Sequence, residues 1–322
     1  MKAIFQDHYG STDVLELRDV DEPAIGEDEV LVSVRAAAVN PADWGLMRGV
    51  PYVLRVGYGL RTPKNGIRGT DMAGEVTAIG SNVTLFQPGD EVYGSGRGAF
   101  AEHVAAAESK LALKPTNLTF EEAAAVPMAA TTALKGLRDT ARLEPGQRIL
   151  INGASGGVGT FAVQIAKWMG AEVTGVCSTR NVDMVASIGA DHVIDYTTTD
   201  FTSNGQRYDV ILDNVASHSL SETFGALTRK GLLLPNNGSF ENRWLASIPR
   251  ILGALVMSLF RSQRAKLFLG TESRDDLLTI KHLIETGELT PVIDRSYQLS
   301  ETAEAIAHVG GGHARGKVVI IV

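Results

Sequence analysis

The stretch Ile149-Leu150-Ile151-Asn152-Gly153-Ala154-Ser155-Gly156-Gly157-Val158-Gly159 decides how this chain is read. Its aliphatic front predicts a short buried strand, its glycines a tight turn, and the amphipathic segment 160–169 that follows a helix. A strand, a glycine turn and a helix in that order bring bare backbone N–H groups and the positive end of a helix to one point. Such a point suits a phosphate, and above all a dinucleotide pyrophosphate. The turn reads A-x-G-x-x-G, with Ala154, Gly156 and Gly159. Gly156 lets backbone approach the pyrophosphate, and Gly159 lets the helix pack on the strand. Glycines after a strand also serve tight turning alone, so the surrounding pattern has to decide.

Moving outward, Glu172-Val173-Thr174-Gly175-Val176-Cys177 predicts a second strand, 181–188 a helix, 191–195 a third strand, 208–212 a fourth and 231–235 a fifth. Short apolar strands alternating with helical stretches predict a parallel sheet covered on both faces. Right-handed crossovers then place all strand carboxyl ends on one edge, where ligands bind. Ser155, Gly156, Gly157 and Val158 are expected around the pyrophosphate. Leu212, Asp213, Asn214 and Val215 end a strand on the same edge and are expected to line the cofactor with their backbone. Gly238 and Phe240 follow the fifth strand as contacts for the nicotinamide carboxamide, with Ala216 and Asn237 as lesser candidates.

The choice of dinucleotide falls to the tip of the second strand. A site for NAD places Asp or Glu there, about twenty residues past the turn, to hold the ribose 2′-hydroxyl. This chain has Ser178-Thr179-Arg180. No carboxylate is expected at the tip to repel a 2′-phosphate, Arg180 offers a fixed fork of donors, and the two hydroxyls add to it. The tip therefore reads as a 2′-phosphate site for NADPH, the alternative for Arg180 being a solvated surface side chain.

Composition sets the outer limits. The chain has 322 residues, enough for two domains, with 44% hydrophobic and 21% charged residues and a net charge of −7. No basic cluster marks a nucleic-acid partner. One cysteine, Cys177, excludes a disulfide within the chain and a zinc site built on several cysteines. The strand-like opening Met1-Lys2-Ala3-Ile4-Phe5 carries no signal-peptide pattern, and the expectation is a cytoplasmic enzyme. The apolar segment 244–260 is interrupted by Pro249 and Arg250, and its uncharged part is too short to span a bilayer. It predicts a helix covering core, a subunit interface or a substrate pocket.

The first third has a different texture. Val30, Val32 and Val34 alternate with Leu31, Ser33 and Arg35; 74–79, 91–93 and 98–104 continue the β pattern, with Pro88-Gly89-Asp90 as a turn. A compact β-rich domain thus precedes the α/β domain. Together with the glycine turn, the segments Asn40-Pro41-Ala42-Asp43, Gly69-Thr70-Asp71-Met72-Ala73-Gly74, Pro88-Gly89-Asp90-Glu91-Val92, Thr131-Thr132-Ala133-Leu134, Gly189-Ala190-Asp191-His192-Val193-Ile194-Asp195-Tyr196 and His313-Ala314-Arg315-Gly316-Lys317 resemble the medium-chain dehydrogenase/reductase superfamily, in its zinc-free, quinone oxidoreductase-like branch. The resemblance covers essentially the whole chain. It implies an α/β fold: a GroES-like, β-rich catalytic domain at 1–122, completed by 272–322, and a Rossmann doubly wound parallel-sheet domain for NADPH at 123–271. It also implies self-association, most simply a homodimer, for which the apolar stretch Lys266-Leu267-Phe268-Leu269 supplies an edge strand in need of cover.

Zinc alcohol dehydrogenases of this superfamily ligate the catalytic metal through Cys, His or Glu, and Cys. Here the first ligand position falls at Asn40 or Pro41, the Gly-His-Glu stretch corresponds to Gly69-Thr70-Asp71, and the four-cysteine lobe is absent. The expectation is therefore no metal, with the substrate polarised by hydrogen bonds. Hydride addition from NADPH to a small electron-poor acceptor then becomes the favoured chemistry: a quinone, or an activated alkene or carbonyl. An enoyl-thioester reductase and a non-catalytic NADPH-binding protein are the alternatives.

The same resemblance assigns Tyr196 to the neighbourhood of the 2′-phosphate, Thr132 to the nicotinamide end, and His313, Ala314 and Arg315 to a C-terminal turn folding back on the cofactor. Each also has a plain reading: Tyr196 as a packed surface residue, Thr132 as a helix cap, Arg315 as the partner of an acid. On the acceptor side stand Asn40, as donor to a carbonyl, Asp43, and Tyr52, as proton donor or ring platform. Asp43 has the alternative of an ion pair with Arg48 that merely holds the loop.

Overall fold

The computed structural model describes residues 1–236, 244–245, 247–268, 270 and 272–322, the side chain of Leu54 apart. Gly238, Phe240 and Asn237 lie outside the described residues. The chain divides into two compact units, Met1–Thr131 with Thr271–Val322, and Thr132–Gly270.

The second unit is built on a six-stranded sheet whose strands all run parallel. Their order is His192–Asp195, Glu172–Cys177, Arg148–Asn152, Tyr208–Asp213, Leu227–Pro235 and Arg264–Ala265. The first strand in sequence, Arg148–Asn152, lies inside the sheet, and the order reverses beside it. Its Ile149, Leu150 and Ile151 are fully buried, as a parallel sheet covered on both faces demands. The helix Gly157–Trp168 buries an unbroken run from Gly159 to Ala166. Leu220–Gly225 opens on a capping box, in which Ser219 Oγ accepts from Glu222 N–H and Glu222 Oε2 accepts from Ser219 N–H.

Two expectations change here. The edge strand is Arg264–Ala265, and Lys266, Leu267 and Phe268 are not in it. Lys266 Nζ donates to Thr140 O at 3.2 Å. Phe268 packs against the segment Lys135–Ala141, where a Cβ on Gly136 would meet its ring at 3.0 Å. A two-residue edge that carries Arg264 and is followed by Lys266 discourages pairing with another strand, and the apolar edge inferred from sequence is not formed over Lys266, Leu267 and Phe268, with Leu269 outside the described residues. Among the described residues of the apolar segment 244–260, the helix spans Ile248–Leu259, with Pro249 in its first turn, where a missing N–H does no harm.

In the first unit, a seven-stranded sheet has the order Ile293–Gln298, Lys317–Ile321, Glu29–Val39, Asp71–Ile79, Glu91–Ser95 and Leu111–Leu113, with His103–Ala107 also paired to Glu29–Val39. The strand Lys317–Ile321 joins residues from the end of the chain to those from its start, Val319 opposite Ala38 and Ile320 opposite Ala37. Stretch 98–104 is a strand only from His103 onward. Among the described residues, no helix is long and apolar enough to cross a membrane.

Candidate active site

The parallel strands of the second unit bring Asn152, Cys177, Asp213 and Pro235 to one edge, and the candidate cofactor residues follow them. Gly153 turns the chain with φ +78° and donates its N–H to Val176 O at 3.1 Å; Ala154 N–H joins it at 3.0 Å. The Gly153 carbonyl accepts from Gly156 N–H at 3.1 Å. Gly156 is extended and caps the helix, so Gly157 and Val158 open its first turn. The two later glycines have separate physical reasons. A Cβ on Gly159 would lie 2.1 Å from Gly153 O, so the helix packs against the turn only without one. A Cβ on Gly156 would meet only Gly153 O, at an ordinary 3.5 Å. Nothing within the protein forbids a side chain there, which leaves the space for a ligand.

Ser155 and Ser178 are linked by a residue that the sequence reading passed over. Buried Asn181 donates from Nδ2 to Ser155 Oγ at 3.0 Å and to Ser178 Oγ at 3.3 Å, while its Oδ1 has no hydrogen-bond partner. The glycine turn and the tip of strand Glu172–Cys177 are thereby tied together. Asn181 stands next to Arg180 in sequence, and its clue was an amide at the end of a Ser-Thr-Arg tip.

The tip also needs a correction. No carboxylate occurs within Ser178-Thr179-Arg180, but Asp195, at the end of the neighbouring strand, accepts from Thr179 Oγ1 at 2.6 Å. Thr197 N–H donates to it as well, and these hydrogen bonds, with Thr179 foremost, hold its carboxyl below the usual range. Thr179's proton is thus committed to Asp195 and is not offered to a phosphate. Tyr196, exposed, follows Asp195 and donates its backbone N–H to Cys177 O at 3.0 Å.

At the end of strand Tyr208–Asp213, Asp213 organises its own turn. Its Oδ1 accepts from Asn152 Nδ2 at 2.8 Å and from Ala216 N–H at 2.8 Å, and its Oδ2 pairs with Arg250 Nη2 at 3.1 Å. Asn214 donates from Nδ2 to Asn152 O and accepts from Asn236 Nδ2. Val215 is exposed beyond it. Thr132 sits within the helix Pro127–Leu134 rather than at its start, so it is no cap; a Cβ on Gly270 would meet Thr132 Oγ1 at 2.3 Å.

The acceptor candidates lie in the first unit, around a buried polar cluster. Asn40 precedes the helix Pro41–Arg48, and its N–H donates to Asp43 Oδ2 at 2.8 Å. Its Nδ2 donates to Asp71 Oδ2 at 3.0 Å, and its Oδ1 accepts from Lys317 Nζ at 2.5 Å. Lys317 Nζ is also 3.5 Å from Asp71 Oδ2. All four side chains are buried. Asp43 makes no ion pair with Arg48, whose guanidinium lies 5.1 Å from the Trp44 ring instead. Tyr52 packs its ring 4.6 Å from the guanidinium of Arg55, which also covers Tyr9. His313, Ala314 and Arg315 form the loop between the helix Thr302–Gly310 and the strand Lys317–Ile321; Ala314 packs on the core and Arg315 is exposed. The structure therefore gathers the candidates into two sets, one on each unit.

At the positions that the family resemblance assigns to a catalytic zinc, Asn40, Pro41 and Thr70 offer no usual zinc donor, and Asp71 lies 3.5 Å from the Lys317 ammonium. A buried cation beside Asp71 does not suit a second cation. Among the described residues there is no group of three His, Cys, Asp or Glu able to hold a metal.

Burial pushes the Asp43 carboxyl up to about 7. The folded chain therefore keeps a proton that the unfolded chain releases near its ordinary value, and this group's stabilising contribution fades as pH rises toward 7. Asp43→Asn keeps an acceptor for the Asn40 N–H and has nothing to ionise. We expect it to be less stable than, or equal to, the wild type at pH 4, and to gain on it by about 2–4 kcal/mol between pH 4 and 8 in urea unfolding. Parallel pH profiles for the two proteins would exclude the buried acid as their cause.

Comparison with known proteins places this architecture in a class. Residues 26–116 match the family model of the alcohol dehydrogenase GroES-like domain, and residues 188–320 match that of the zinc-binding dehydrogenases. A 2-methylene-furan-3-one reductase from Solanum lycopersicum is 34% identical over 99% of this chain and 79% of its own length. The chloroplastic NADPH-dependent alkenal/one oxidoreductase of Arabidopsis thaliana is 32% identical with the same coverage. Among solved structures, the quinone oxidoreductase from Coxiella burnetii superposes with a TM-score of 0.86 at 29% identity, over 100% of this chain and 99% of that one. The fold is a GroES-like domain joined to a Rossmann domain. The chain belongs to the medium-chain dehydrogenase/reductase superfamily, in its quinone oxidoreductase-like branch.

Proposed function

We propose that the protein is an NADPH-dependent, zinc-independent oxidoreductase that passes a hydride to a quinone or to an activated alkene or carbonyl. The observation that carries this reading is the convergence of the glycine turn, the open helix end and the Ser155–Asn181–Ser178 link on one sheet edge, with Arg180 next in sequence. NADPH, when bound, supplies the hydride. The N–H groups of Gly157 and Val158 then receive the pyrophosphate, Gly156 leaves room for it, and Arg180 meets the 2′-phosphate. Asn214, Val215, Tyr196 and Thr132 belong to the same binding surface in this reading, and His313, Ala314 and Arg315 keep the role that the family resemblance gives them.

In the first unit, Asn40 keeps a second amide N–H for a substrate carbonyl, and its orientation is fixed by Asp71 and Lys317 on either side. Asp43 and Tyr52 hold the surrounding loop, one by capping and one by stacking. The names of the tomato and Arabidopsis relatives support the acceptor class. The cluster around Lys317 supports independence from zinc. Self-association as a homodimer belongs to this reading by resemblance alone, since Lys266, Leu267 and Phe268 form no edge strand; a cytoplasmic location gains no support from relatives whose names place them in chloroplasts.

The test is a fluorescence titration with NADPH and NADH, followed by turnover with benzoquinone and with an α,β-unsaturated aldehyde. Tight NADPH binding, preference over NADH and turnover without stoichiometric zinc are expected. Arg180→Ser should weaken NADPH binding roughly 10- to 100-fold and leave NADH nearly unchanged, the size of one or two hydrogen bonds to a charged group. A protein that ignores NADPH, or equal losses for both cofactors, would overturn the assignment.

A further inference from the structure

The helix Ile248–Leu259 is apolar on the side that faces away from the protein as well as on the side that packs. Ala254 is buried, and Leu255 and Met257 lie against the core around Phe224 and Ala265. On the other side, Leu252 is 55% exposed, Val256 55% and Leu259 78%, at a spacing that aligns them along one face, and Phe260 just beyond is 84% exposed. A helix of this kind normally lies in an interior. This one is held firmly in place: Arg250 binds Asp213 and His218 O, and Arg261 donates to Ser221 Oγ.

The charge around the stripe identifies what covers it. Between Glu241 and Glu272 the sequence has no acidic residue, and beyond the helix it carries the exposed Arg261, Arg264 and Lys266, while Arg250 is taken up by Asp213, in a chain whose net charge is −7. The acid on the adjoining helix, Glu222, is taken up by its own cap. A second copy docked face to face would set Arg261, Arg264 and Lys266 against the same cations of its partner. A bilayer surface with anionic headgroups satisfies both features, since apolar side chains enter the headgroup–acyl boundary and cations stay at the headgroups. The helix is far too short to cross.

We propose that the outward face of Ile248–Leu259, with its basic flank, docks the protein on the surface of an anionic lipid bilayer. The docking needs no turnover and stands apart from the redox reading. Its test is co-sedimentation of the full chain with phosphatidylcholine vesicles and with vesicles containing phosphatidylglycerol, while light scattering follows the mass in solution. Binding at least tenfold stronger to the anionic vesicles is expected, weakened by salt. The triple variant Leu252→Ser, Val256→Ser, Leu259→Ser should lose at least tenfold in binding with no change in solution mass. Arg264→Gln with Lys266→Gln should lose the preference for anionic lipid; it alters only the basic flank and serves independently should the apolar variant fold poorly. Absence of binding to anionic vesicles, or equal binding by the charge variant, overturns the proposal. So does a fall in mass for the apolar variant, which would make the face a contact between copies.

Discussion

Replacing Lys317 by Met should cost the protein about 3–5 kcal/mol of stability, because it removes one partner of a buried ion pair and leaves the other behind. Lys317 Nζ stands between Asn40 Oδ1 and Asp71 Oδ2, at 2.5 and 3.5 Å, with both side chains buried. Without the ammonium, the Asp71 carboxylate keeps only the Asn40 amide and the Met128 N–H, the latter at 3.3 Å, and its Oδ1 already lacks a partner. Burial pushes that carboxyl upward even with the lysine present, so the variant should also become more stable as pH falls and Asp71 takes up a proton. Urea unfolding across pH 5 to 8 reads both effects. Combining Lys317→Met with Asp71→Asn should recover much of the loss, since the uncompensated charge is then gone. A small loss in the single variant, or no recovery in the double, would show that the pair is solvated and contributes little.

That pair also marks the limit of what the sequence discloses. The strands of the Rossmann sheet were legible because Ile149, Leu150 and Ile151, or Val210, Ile211 and Leu212, are continuous apolar runs bounded by turn residues. Local chemistry announces itself within a window of ten residues. Lys317 and Asn40 stand 277 positions apart, and both occur in segments that carried the family resemblance, yet no local pattern tells that one neutralises the other's neighbour. The tip of the second strand fails for the same reason. Ser178, Thr179 and Arg180 contain no acid, but sheet register sets Asp195 opposite Cys177 and so within reach of Thr179. Lys266-Leu267-Phe268 misled in the other direction. Its residues favour a strand, but Phe268 found a better partner in the helical segment beside Gly136, and tertiary packing overrode propensity.

The glycines of the turn yield the sharpest separation between fold and ligand. Gly159→Ala places a methyl 2.1 Å from Gly153 O, where carbon and oxygen ordinarily stay well beyond 3 Å. The carbonyl cannot swing aside, since it accepts from Gly156 N–H, and its residue is pinned to Val176 O at φ +78°. The helix Gly157–Trp168 must therefore back away by about 1 Å, against a buried run of packed side chains; strain of this kind costs about 1–3 kcal/mol. A shift of that size at a preorganised site also costs about a hundredfold in function, so NADPH affinity and stability should fall together. Gly156→Ala meets only one protein atom, at 3.5 Å. Its melting temperature should stay within a degree or two of the wild type, while NADPH affinity falls by about tenfold or more, as the methyl occupies space assigned to the pyrophosphate. Calorimetric titration and thermal unfolding of the two variants side by side decide the matter. If Gly156→Ala binds NADPH like the wild type, the glycine turn is structural only, and the cofactor's phosphates have to be sought elsewhere on the sheet edge.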